Sequence, residues 1–127
     1  MPTHARVQVR WCDGAEETFN EALDKACSGN PKRIQTFRDR VARYIERLET
    51  GQQLSAANFP HEGYLPNGHP FYAIKKIPIR LYCWFSRTKP GVLFISHAYY
   101  KKQQKRPPDQ AAQVYRRYLM YEGRITR

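Results

Sequence analysis

The chain has 127 residues, enough for one domain with a single modest core and too few for a second. Hydrophobic residues make up 41% and aromatics 13%, which excludes a disordered chain, while 22 Lys and Arg against 11 Asp and Glu give a net charge of +11. Such an excess favours a polyanionic partner, nucleic acid first, with an anionic membrane surface or an acidic protein behind it.

No stretch approaches the roughly 20 consecutive apolar residues of a membrane span, and the N-terminal MPTHARVQVRW has no apolar segment of the signal-peptide kind. A cytoplasmic protein with no membrane partner is the expectation. Cys12, Cys27 and Cys83 form no CxxC pair and are odd in number, so they read as reduced thiols, with Cys83 as a small buried hydrophobe. His4, His61, His69 and His97 lack metal-ligand spacing, so neither a metal nor a small-molecule cofactor is expected.

Arg6-Val7-Gln8-Val9-Arg10-Trp11 alternates charged or polar with apolar residues and predicts a first strand with one face in the core. After Asp13-Gly14, the residues Phe19, Leu23 and Ala26 recur at helical spacing behind an acidic first turn, predicting a helix from Ala15 to Ala26. Ser28-Gly29-Asn30-Pro31 then supplies a stop and a start, because asparagine caps a helix N-terminus and proline fits its first position. From Lys32 to about Thr50, Ile34, Phe37, Val41, Tyr44, Ile45 and Leu48 lie three and four apart, with Arg38, Arg40, Arg43, Glu46 and Glu49 on other faces. This is the second helix.

Residues 51 to 70, GQQLSAANFPHEGYLPNGHP, hold three glycines and three prolines and no sustained period. They predict a connecting loop, long for so small a domain, pinned by Leu54, Phe59, Tyr64 and Leu65, whose length points either to function or to packing over one edge of the sheet. Three strands follow: Phe71 to Ile77, Ile79 to Arg87, and Gly91 to His97 or slightly beyond. Their joints, Pro78 and Thr88-Lys89-Pro90, are short enough to favour an antiparallel meander. Pro107-Pro108-Asp109 opens a third helix that carries Ala111, Val114, Tyr118, Met120 and Tyr121 and ends near Gly123. The expected class is α+β in one domain: an antiparallel sheet, two N-terminal helices packed on one face, the other face open, and a C-terminal helix.

Alternation places Lys75 and Lys76 on opposite faces of their strand. On the next strand it divides Arg80, Tyr82 and Trp84 from Leu81, Cys83 and Phe85; the second set reads as core, so the first should face outward. Arg80 beside Tyr82 or Trp84 would offer a cation for phosphate and a plane for a base. The last strand ends in SHAYYKKQQKRPP, where functional groups gather at a strand end. RNA cleavage by its own 2′-hydroxyl needs a proton acceptor, a proton donor and cations on the phosphate. His97, Tyr99, Tyr100, Lys101, Lys102 and Arg80 cover those roles, and Lys75, Lys76, Lys105 and Arg106 extend the cationic surface. The plainer reading of the lysine run is a solvated patch that binds without turnover.

FYAIKKIPIRLYCWF followed by GVLFISHAYYKKQQKRPP and a closing helix resembles the RelE/ParE superfamily of bacterial toxins, nearest its HigB-like, phage-derived branch, over roughly residues 30 to 120. The resemblance implies a compact RelE-like fold and a metal-independent mRNA endonuclease, a translation inhibitor that acts on ribosome-bound mRNA. It further implies restraint by a cognate antitoxin, with family cation positions falling on Arg80, Lys75 or Lys76, Lys101 and Lys102. The superfamily's C-terminal active-site tyrosine has three competitors here, Tyr115, Tyr118 and Tyr121, and the tail VYRRYLMYEGRITR holds no histidine. ParE-like members of the same superfamily imply instead a non-catalytic inhibitor of DNA gyrase. The charge alone would suit a phage or plasmid accessory protein that binds nucleic acid.

Overall fold

The computed structural model describes residues 6–101 and 109–123. In chain order the elements are β1 (Gln8–Trp11), α1 (Ala15–Cys27), α2 (Pro31–Glu49), β2 (His61–Tyr64), β3 (Pro70–Lys76), β4 (Ile79–Phe85), β5 (Val92–Tyr100) and α3 (Asp109–Glu122). Both N-terminal helices begin and end within about a residue of their expected bounds, because their punctuation is chemical. Asn30 adopts an extended backbone and its side chain accepts a hydrogen bond from the Arg33 N–H at 3.1 Å, while Pro31 opens the helix.

The fold is α+β, with two corrections to the expected sheet. First, the sheet has five strands in the order β1-β5-β4-β3-β2 and is mixed: β1 runs parallel to β5, while every other pairing is antiparallel. A strand that pairs with a far later one in parallel must be joined to it by a long connection, and α1, α2 and the meander supply that connection. Second, residues 51 to 70 hold a strand. Asn67-Gly68 closes a turn between β2 and β3, with Gly68 at φ 88° and its N–H donating to the Leu65 carbonyl at 2.8 Å. The remaining loop does follow the sheet edge, since Lys75 N–H donates to Asn58 O and Ala73 N–H to Pro60 O.

Helices cover both faces, so the open face expected from the sequence is corrected as well. On one face Trp11 of β1 meets Phe19 of α1, and Lys76 of β3 lies over Phe37 of α2. On the other, Trp84 and Phe94, a cross-strand pair of β4 and β5, pack against Tyr118 and Tyr121 of α3. Trp84, Tyr82, Tyr118 and Phe71 are among the largest fully buried side chains, each worth roughly 2–3 kcal/mol of transfer free energy.

Candidate functional site

Register decides what stands beside what. Lys75 is paired with Arg80, and Arg80 with Tyr99, so these three form one row across β3, β4 and β5 on the α3 side of the sheet. All three are half-buried. From β2, the Glu62 carboxylate forms an ion pair with the Arg80 guanidinium, the two side chains being only 6% and 14% exposed. An arginine fork carries five N–H donors, and Glu62 engages Nη1, so the guanidinium retains donors for a second anion. The row lies just beyond the start of α3, because the next residue of β5 on that face, His97, is bonded to Gln110 in the first turn of α3.

Tyr82 and Trp84, expected to face outward, are both 0% exposed. The reason is that α3 covers their face, so a strand buried on both sides gives no usable alternation. Trp84 donates its indole N–H to Glu122 Oε2 at 2.7 Å, and Tyr82 packs 5.3 Å from the His97 ring. Neither presents a plane on which a base could stack.

His97 is also in the core, 2% exposed. Its Nε2–H donates to Gln110 Oε1 at 2.7 Å, and its Nδ1 accepts from the Ser96 hydroxyl at 2.8 Å. Burial holds the imidazole below its ordinary value of 6.5; the Gln110 bond works the other way, and nearby Arg117 adds to the lowering. A shift of the β4–β5 register between Tyr82 and Cys83 sets opposite Tyr82 a histidine that strict alternation would not place there. The imidazole thus ties β5 to α3 and stands away from the surface.

Tyr100 pairs with Ile79 and so belongs to the face opposite Tyr99; both phenols are half-buried. Lys101 leaves the strand with its N–H donated to the Pro78 carbonyl at 2.8 Å. Lys102, Lys105 and Arg106 lie outside the described residues. Lys75 and Lys76 do point to opposite faces, and only Lys75 joins the Arg80 row. The arginines of α2, including Arg33, Arg40 and Arg43, belong to the face across the sheet from that row.

Sequence reasoning missed Glu62, whose stretch read as loop. The usable signal was Asn67-Gly68, which sets HEGY and PFYAIKK as the arms of a hairpin and brings Glu62 beside the central strands. Of the three competing C-terminal tyrosines, Tyr118 is buried against Trp84 and His69, and the Tyr121 hydroxyl accepts from the Asp13 N–H at 2.6 Å; neither reaches the row. Tyr115 stacks on Tyr118 at 6.2 Å. Among the described residues no cluster of His, Cys, Asp and Glu could hold a metal ion, and no helix is long and apolar enough to cross a membrane.

The arrangement offers a cation pair, Lys75 and Arg80, a carboxylate in contact with one of them, and a phenol one strand away. Such a set can hold a phosphodiester, accept a proton from a neighbouring hydroxyl and return one to a leaving oxygen. Compared with family models, with curated proteins and with solved structures, the chain matches none.

Proposed function

We propose that the chain is the toxin of a type II toxin–antitoxin pair, a RelE-like mRNA endonuclease that works in the cytoplasm on ribosome-bound mRNA and is restrained by a cognate antitoxin. The observation that carries the reading is the Lys75–Arg80–Tyr99 row with Glu62 seated on Arg80. In this scheme the scissile phosphate enters against Lys75 and the donors of Arg80 that Glu62 leaves open, and its charge then draws the guanidinium off the carboxylate. The released carboxylate takes the proton from the 2′-hydroxyl as its oxygen attacks phosphorus. The P–O5′ bond then breaks, leaving a 2′,3′-cyclic phosphate, and the departing 5′-oxygen takes a proton from the Tyr99 phenol or the Lys101 ammonium. The sequence resemblance implies family cations at Arg80, at Lys75 or Lys76 and at the Lys101-Lys102 pair, and so supports the same site.

One observation favours a second reading, in which the protein binds nucleic acid or gyrase and cuts nothing: the only imidazole of the candidate set, His97, is locked in the core. A translating extract separates the two. Purified protein is added, mRNA 5′ ends are mapped by primer extension, and the experiment is repeated with naked mRNA and with the Arg80→Ala and Glu62→Gln variants, each checked for folding by its thermal melt. Ribosome-dependent cuts that fall by at least about a hundredfold in both variants, with binding changed far less, establish the nuclease. Intact mRNA throughout removes it in favour of binding.

A further inference from the structure

We propose that the cavity under the loop that follows α2 is a binding site for a small planar aromatic acid. It encloses about 580 Å³, within the span of roughly 300–1,000 Å³ typical of sites for small organic ligands. The cavity arises from the way α2 ends. Gly51 takes φ 80°, its N–H donates to the Leu48 carbonyl at 3.1 Å and the Gln52 N–H donates to the Arg47 carbonyl at 2.8 Å, which closes the helix and turns the chain off its axis. The loop then crosses to the sheet edge. Near its start the Arg47 guanidinium donates to the Gln53 carbonyl at 3.1 Å, and at its far end the Asn58 and Pro60 carbonyls accept from β3. Between the last turn of α2, this loop and the strand ends that carry Tyr72 and Phe85 lies the cavity.

Three rings give the cavity its chemistry. Phe59 lies parallel to Tyr72, with centroids 5.2 Å and planes 8° apart, and Phe85 stands edge-on to both, at 83° and 75°. Such a wall presents ring faces and ring edges, against which a further aromatic ring gains by stacked or T-shaped contact. Leu48 and Leu54, 2% and 6% exposed, add to the apolar lining. Arg6 is the only charged residue among the described residues that line the cavity. A single guanidinium on an aromatic site sets the complement: one anionic group on an otherwise flat, apolar ligand.

A small molecule suits this place better than a macromolecule does. Among the described residues the large hydrophobics that stand exposed are Tyr64, Ile77, Leu119 and Met120, and none of them lines the cavity. Phe59, Tyr72 and Phe85 are half-buried, recessed where a compact ligand enters and a flat partner surface stays outside. A nucleic-acid strand needs a series of cations along its phosphates, and one arginine does not supply them. The inference stands apart from the ribonuclease reading, because Glu62, Lys75, Arg80 and Tyr99 do not line the cavity.

The probe is 2-naphthoate, with 2-naphthamide as its neutral analogue, each titrated into the isotope-labelled intact protein and followed by amide chemical shifts. Saturable shifts are expected at Val7, Phe59 and Gly91, with the amide bound about fivefold more weakly, the worth of one exposed charge pair. Arg6→Gln should remove that difference between the two probes. Ala56→Phe adds a ring to the lining and should weaken both by about tenfold or more, while Ala57→Phe, one residue along and outside the lining, should leave them unchanged. All three positions are exposed, and thermal melts confirm that each variant stays folded. No saturable binding, shifts that fall away from the cavity, equal affinity for acid and amide, or an Ala56→Phe variant that binds as well as the parent each overturns the proposal. A short oligoribonucleotide or a second copy of the chain that the probe displaces and Ala56→Phe weakens also overturns it, by giving the cavity another occupant. Cleavage of mRNA enters none of these readouts, so the ribonuclease reading can fail while this one holds, and the reverse.

Discussion

α2 and α3 flank the same sheet and are held to it by different means. α2 spans 19 residues but buries only Val41 and Leu48 fully; Ile34, Phe37, Tyr44 and Ile45 are half-buried, and grooves run along its flanks. α3 spans 14 residues and is fastened at both ends by buried polar groups, His97 to Gln110 at its start and Glu122 at its finish. The Glu122 carboxylate is 4% exposed. Its Oε2 accepts from the Trp84 indole, and its Oε1 accepts from the Ser86 hydroxyl, the Arg87 and Thr88 N–H groups and the Thr88 hydroxyl at 2.9 to 3.1 Å. A helix fixed by directional bonds is part of the core, whereas one held by a thin apolar stripe keeps surface in reserve for something else.

The difference should be widest at Glu122. Glu122→Ala removes an acceptor shared by five donors and leaves the Trp84 N–H unpaired in the core, so it should cost about 3 kcal/mol and lower Tm by roughly 10 °C by scanning calorimetry. Equal loss from Glu122→Ala and from an exposed acid on α2, such as Glu46→Ala, would erase the contrast.

A matched pair of truncations sharpens it. Val114 on α3 and Val41 on α2 are both buried, and Val41 sits beside a groove into which the surrounding chain can relax. Val114→Ala should cost about 2 kcal/mol in urea unfolding and Val41→Ala about 1 kcal/mol.

The smallest effect is in pH. His97 is held below its ordinary 6.5, so the unfolded chain binds its proton more readily than the fold does. Its contribution to stability is therefore complete above pH 6.5 and is lost as pH falls from there toward the lower folded value. Glu122 behaves likewise in a lower window: burial pushes its carboxyl up, yet the bonds from Trp84, Thr88 and Ser86 outweigh that and hold it below 4.5, so its contribution fades as pH drops beneath 4.5. His97→Gln should flatten the Tm profile just below pH 6.5 while leaving the acid limb below 4.5 in place.

What was legible in the sequence follows from where the determining interactions lie. Asn30-Pro31 and the apolar spacing of α1 and α2 are local, and the helices stand where those signals put them. The meander β3-β4-β5 was legible for the same reason, from its short joints. The parallel pairing of Gln8 with Val92 was not, since nothing near either residue reports its partner. Nor was the burial of Tyr82 and Trp84, because their alternation is the same whether α3 or solvent lies above them. Arg80 was legible as a candidate from its strand; Glu62, its ion-pair partner, was hidden by a hairpin read as loop. Glu122 gave no sign at all, for a single acid at a helix end reads as exposed until the five donors of β4 and its following turn are folded onto it.

The parallel pairing of β1 has a consequence for the chain during its synthesis. Gln8 is made well before its register partner Val92, while Trp84 and Phe94 have no cover until α3 itself has been made. No N-terminal portion can close the sheet or bury that aromatic pair, so the nascent chain stays incomplete until α3 has been made, and its Arg80 row is finished only as the whole sheet is. A ribosome pausing between β5 and α3 would therefore carry an exposed Trp84.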